Sequence, residues 1–165
     1  MAIEIVENYK GWQPPVNARR AVSAVMATVP NEYLSGLGQV VLTNASGMNR
    51  SRRRHKIKYQ GKTRSTIEAY GFYRQEWRGQ RASIELLVDN IVARCPRAIR
   101  LAPIRDFVFA DTLFHEIGHH IHATRAKEFR DSEDVADKWA RRLGGLYYRP
   151  RRWYLTPLLK LFRLV

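Results

Sequence analysis

From Asp106 to Ala126 the chain reads DFVFADTLFHEIGHHIHATRA, and this stretch constrains the fold more than any other. Asp106 can cap a helix that carries Leu113, Phe114, Ile117 and Ile121 as apolar packing positions. His115, Glu116 and His119 then spell H-E-x-x-H. Four residues apart on a helix, the two imidazoles are separated by about 40° around the axis, so both can point at one ion while Glu116 stands beside it. That arrangement suits hydrolysis: three protein ligands hold zinc, a water takes the fourth position with its pKa lowered to about 7, and a carboxylate removes its proton. Glu116 is the candidate base. The plainer alternative is a surface helix that happens to be rich in histidine.

A third ligand separates the two readings. His122 shares the face of His115 but lies about 10 Å further along the helix, too far to reach the same ion. His120 is turned about 100° off that face, so both are expected in solvent or behind the ligands. With a single cysteine, Cys95, the chain can make no internal disulfide and no cysteine zinc site. The next helical segment, SEDVADKWARRL, is a better source. Glu133 and Asp137 lie one turn apart on one face, and Ala136 and Ala140 leave a smooth stripe for close helix packing. Glu133 can supply the third ligand, and Asp137 can accept the free ring N–H of His115 or His119, which holds a ligand in one tautomer. Glu133 and Asp134 would also favour a helix N-terminus without any metal. Asp111 is a weaker candidate for a supporting role.

Elsewhere the chain alternates strand and helix signals. Ile3 to Val6 and Gly38 to Thr43 read as strands, with a helix from Val16 to Val29 between them, opened by Pro14 and Pro15 and closed by Pro30. Ile67 to Arg74 and Ser83 to Val88 read as a hairpin around Gly79. Gly144 and Gly145 are expected to end the second helix, leaving a basic and aromatic tail over residues 147–165, interrupted by Pro150 and Pro157. At 165 residues and 45% hydrophobic, residues 1–165 are most simply one folded domain.

H-E-x-x-H followed by a glutamate on the next helix resembles the gluzincin zinc metallopeptidases. The segment EDVADKWA, Glu133 to Ala140, is similar to the signature of small members such as the ImmA/IrrE-type peptidases, and the short chain resembles the minigluzincins. The resemblance implies one zinc per chain bound by His115, His119 and Glu133, with Glu116 as general base and acid. It also implies an α+β, zincin-like fold: a small twisted, largely antiparallel sheet packed on the H-E-x-x-H helix, followed by the glutamate-bearing helix. By the same likeness, an edge strand beside that helix would align an extended peptide substrate, and Tyr70, Gly71, Phe72 and Tyr73 form the segment that fits.

Charge points to a different kind of partner. There are 29 Lys and Arg against 15 Asp and Glu, a formal net charge of +14, and 22 of the bases are arginine. Within the basic loop 50–64, Arg50, Arg52, Arg53, Arg54, Lys56 and Lys58 stand with no acid among them. In strand geometry Arg52, Arg54, Lys56 and Lys58 share one face, which could contact nucleic acid or another polyanion. The rival to a peptidase is therefore a polyanion-binding regulatory module that keeps zinc for its structure and hydrolyses nothing. No stretch has the length or apolarity of a membrane span, and no basic-then-apolar leader opens the chain, so a cytoplasmic location is the default expectation.

Overall fold

The computed structural model describes residues 3–48, 56–59, 62–125 and 133–152. Its core is built on alternation. In β2 (Leu37–Thr43) Val40 and Leu42 are fully buried while Gln39 is exposed; in β6 (Ala82–Leu87) Ile84 and Leu86 are fully buried. These side chains point to one face of the sheet, where Ala18, Val22 and Val25 of α1 (Ala18–Met26) meet Phe109, Leu113, Phe114, Ile117 and Ile121 of α3 (Ala102–Arg125). One continuous apolar core results. The other face carries more polar side chains, and there Arg74 pairs with the largely buried Glu85.

β1 (Glu4–Asn8), β2, β6 and β5 (Gly71–Arg74) form one sheet in the order β1-β2-β6-β5. β1 is parallel to β2, β2 is parallel to β6, and β5 alone runs antiparallel, against β6. The class is α+β, but the largely antiparallel sheet is corrected to a mixed one. The cause lies in the connection: α1 carries the chain back across the sheet, so β1 and β2 enter it in the same direction. A separate antiparallel pair, β3 (Lys56–Tyr59) with β4 (Lys62–Ser65), takes up part of the basic loop and includes Lys56 and Lys58. Arg50 and Arg52 to Arg54 lie outside the described residues, as does the tail beyond Arg152.

Of the element boundaries that differ from expectation, three have a clear physical cause. The Ile67 to Arg74 strand is shorter, because a 3-10 turn occupies Thr66–Glu68 and β5 begins at Gly71. The side-chain amide of Asn90, in α2 (Val88–Ala93), donates to the carbonyls of Ile67 at 2.7 Å and Ala69 at 2.6 Å, and so holds this lead-in away from the ladder. α3 starts at Ala102 with Pro103 in its first turn, where a missing N–H costs nothing, so Asp106 is inside the helix and pairs with Arg105 instead of capping. Finally, α4 (Glu133–Arg152) runs through Gly144 and Gly145. Each glycine costs a helix about 1 kcal/mol relative to alanine. Burial of Leu143, Tyr147 and Tyr148 offsets that, with Tyr147 against Phe114 and Tyr148 against Phe107 at ring separations of 5.8 and 5.6 Å.

Among the described residues no helix is long and apolar enough to cross a membrane. Asn90→Ala is expected to destabilise the fold by about 1–2 kcal/mol in chemical denaturation. Amide hydrogen exchange should locate the loosening in residues 66–71 ahead of the rest of the sheet.

Candidate metal centre

His115 and His119 sit one turn apart on α3 with their rings edge to face, centroids 4.9 Å apart, and their Nε2 atoms are 3.2 Å from each other. Glu133 opens α4 and reaches the same point: its Oε2 is 3.2 Å from His115 Nε2 and its Oε1 is 3.9 Å from His119 Nε2. The convergence depends on how closely the two helices approach. A Cβ at Gly118 would lie 2.6 Å from the carbonyl oxygen of Ala136 and 2.8 Å from its Cα, so the backbones touch there and nothing larger than glycine fits. The small-residue stripe on α4 is thus used at Ala136, which is fully buried.

Asp137, one turn after Glu133, places Oδ1 2.9 Å from His115 Nδ1. An ionised carboxylate only accepts, so Nδ1 carries the proton and Nε2 presents a lone pair. That leaves Glu133 Oε2 buried with no conventional hydrogen-bond donor among the described residues; its near neighbour is the bare face of His115 Nε2. Two ring nitrogens and a carboxylate oxygen facing one point repel one another unless a cation lies between them. Ligands at about 2.0–2.1 Å in a tetrahedron stand roughly 3.3 Å apart, close to the observed 3.2 Å pairs. The donor atoms of His115, His119 and Glu133 all lie within 4.8 Å of one another. This group can hold a metal ion.

Comparison of the chain with protein-family models, with curated proteins and with solved structures finds no match. What the centre can do therefore rests on its own chemistry. Without a metal, the lone pairs are served by a proton. Burial works against a charged His115, but contact with Glu133 and the charges of Glu116, Glu133 and Asp137 outweigh it, raising its pKa to about 9. Glu116 is 6% exposed, and burial pushes its carboxyl up to about 7 despite the opposing pull of His115 and His119. The backbone N–H of Tyr73 bonds this carboxylate and favours its charged form.

Among the described residues β5 lies at the edge of the four-stranded sheet, and it packs against α3. Leu87 N–H donates to the Tyr70 carbonyl at 2.8 Å, which sets the phase of the antiparallel ladder. Gly71 and Tyr73 consequently turn their N–H and C=O away from β6, toward the open edge. Tyr70 precedes the strand, with the Arg94 guanidinium 5.0 Å from its ring, and Phe72 alternates to the opposite face from Gly71 and Tyr73.

Two expectations about neighbouring residues need correction. Asp111 does not support the centre; it pairs with Arg94 at 2.9 Å. His120 is fully buried instead of solvent-facing. Its Nε2–H donates to the Ser35 carbonyl at 3.0 Å, its Nδ1 accepts from the Tyr73 hydroxyl at 3.3 Å, and burial lowers its pKa, keeping it neutral. The signal was present: position 120 follows Leu113 and Ile117 at helical spacing on the core-facing side of α3. His122 is half-buried and is not one of the grouped donors.

Two outcomes are expected. In the metal-free protein both shifted groups bind protons more tightly when folded. The contribution of Glu116 is lost as pH rises from 4.5 through about 7, and that of His115 from 6.5 through about 9. Thermal unfolding with chelator should therefore show stability falling from about pH 5 to about pH 9, while the stabilisation from added zinc grows over the same window as the ligands lose their protons. Gly118→Val should separate the helices and weaken metal binding at least tenfold, by roughly the factor lost when a ligand's support is removed, measured by equilibrium dialysis of a variant shown to remain folded by circular dichroism.

Proposed function

We propose that this chain is a zinc-dependent metallopeptidase of gluzincin type, with zinc held by His115, His119 and Glu133. The observation that carries the reading is the convergence of those three donors next to the buried Glu116, against which the edge strand β5 packs. A zinc ion there would supply a Lewis acid and lower the pKa of a water toward about 7. The rest falls to the chain's own residues. Glu116, a buried carboxylate next to His115, is placed to take a proton from the attacking water and return it to the departing amine. Asp137 keeps His115 in the tautomer whose Nε2 is free to ligate. An extended peptide can pair with the outward N–H and C=O of Gly71 and the outward C=O of Tyr73, which lays its backbone along the edge of the sheet above α3.

The net charge of +14 and the lysines of β3 favour a second reading, a polyanion-binding module with a structural zinc. The donor set speaks against it. The two imidazoles and one carboxylate grouped here are the donor set of a catalytic zinc with three protein ligands, whereas structural sites take four.

Zinc-loaded protein is expected to cleave members of a fluorogenic peptide library and to lose that activity with chelator. Glu116→Gln should retain one zinc per chain by elemental analysis while cleaving at least about a hundredfold more slowly. His115→Ala should lose the zinc. Undiminished cleavage by the Glu116→Gln variant would remove Glu116 from its role. Salt-sensitive binding to DNA or RNA, with no peptide cleaved by the wild-type protein, would favour the second reading.

A further inference from the structure

β5 does more than offer an edge. A Cβ built on Gly71 would stand 2.8 Å from Glu116 Oε1, 2.9 Å from its Cγ and 3.1 Å from its Cδ. Carbon atoms do not approach a carboxylate that closely, so any side chain at residue 71 would have to displace Glu116 or the strand. The backbone of Gly71 is outside the left-handed region that would otherwise call for glycine, which leaves space as the reason for it. Two residues on, the N–H of Tyr73 bonds the same carboxylate, and the Tyr73 hydroxyl is tied to His120 of α3. The strand is thus pinned to the helix at Glu116 and at His120.

We infer that Gly71 is a positioning residue for Glu116: the side chain it lacks is the space the carboxylate occupies, and together with the Tyr73 N–H it sets where the proton acceptor stands relative to His115 and His119. Gly71 acts through Glu116 and need not touch the reacting atoms. The contact itself is independent of catalysis; its kinetic consequence rests on the peptidase reading above.

A double-mutant cycle tests it. Gly71→Ala is expected to lower the melting temperature by about 3–5 °C in the wild-type background and to be close to neutral in Glu116→Ala, where the three atoms nearest the new methyl are gone. In zinc-loaded protein, Gly71→Ala should retain one zinc per chain and keep KM within about threefold, while kcat falls tenfold or more, since small misplacements of a catalytic group are costly. Adding Glu116→Asp, which withdraws the carboxylate by one methylene, should make the further cost of Gly71→Ala markedly smaller. Equal melting losses in both backgrounds, or an unfolded protein in both, would overturn the inference, as would full kcat in Gly71→Ala. If the wild-type protein cleaves nothing, the peptidase reading fails, and the melting cycle alone still decides whether Gly71 makes room for Glu116.

Discussion

The backbone contact between Gly118 of α3 and Ala136 of α4 is the constraint on which the rest of the centre depends. His115 and His119 belong to one helix and their spacing is local, but a third donor can reach them only if a second helix comes within touching distance. Because Glu133 and Asp137 are one turn apart on α4, a single close crossing delivers both: one carboxylate to the space between the imidazoles, the other to the outer nitrogen of His115. The force that holds the crossing is apolar. Leu143, Tyr147 and Tyr148 bury the later turns of α4 against Phe107 and Phe114, and so hold together polar groups that would not associate on their own.

The electrostatics of the centre run against those of the chain. A protein with a net charge of +14 gathers Glu116, Glu133 and Asp137 around two imidazoles in a mostly buried place. Such a grouping calls for a cation. A proton can satisfy it, which is why His115 is pushed up to about 9, and a divalent metal would have to displace that proton to bind. Proton and metal therefore compete for the same lone pairs, and Asp137 biases the outcome by holding the remaining ring proton on Nδ1.

β5 joins the centre to the sheet. Only four residues long, it is an edge strand of limited exposure, anchored at its entry by Asn90 and along its length by Glu116 and His120. Exposed edges invite pairing with other chains, and short ones limit that hazard. Here the outward groups left by the ladder are the N–H and C=O of Gly71 and the C=O of Tyr73, beside the Glu116 carboxylate that the Tyr73 N–H bonds.

Much of the centre was legible in the one-dimensional pattern, because its parts obey helical spacing: the pair His115 and His119, the adjacent Glu116, and Glu133 with Asp137 on a common face are consequences of 3.6 residues per turn. Most strands and helices were legible for the same reason, from periods of two and 3.6. Tertiary structure decided what periodicity does not encode. Strand direction came from the crossover through α1, which made the sheet mixed. The survival of α4 past Gly144 and Gly145 came from distant aromatic partners that outweigh local propensity. The burial of Glu116 beneath Gly71 and the turn of His120 toward Ser35 and Tyr73 came from residues 45 and more positions away along the chain. A sequence states which side chains share a face of one element; only packing determines which faces meet.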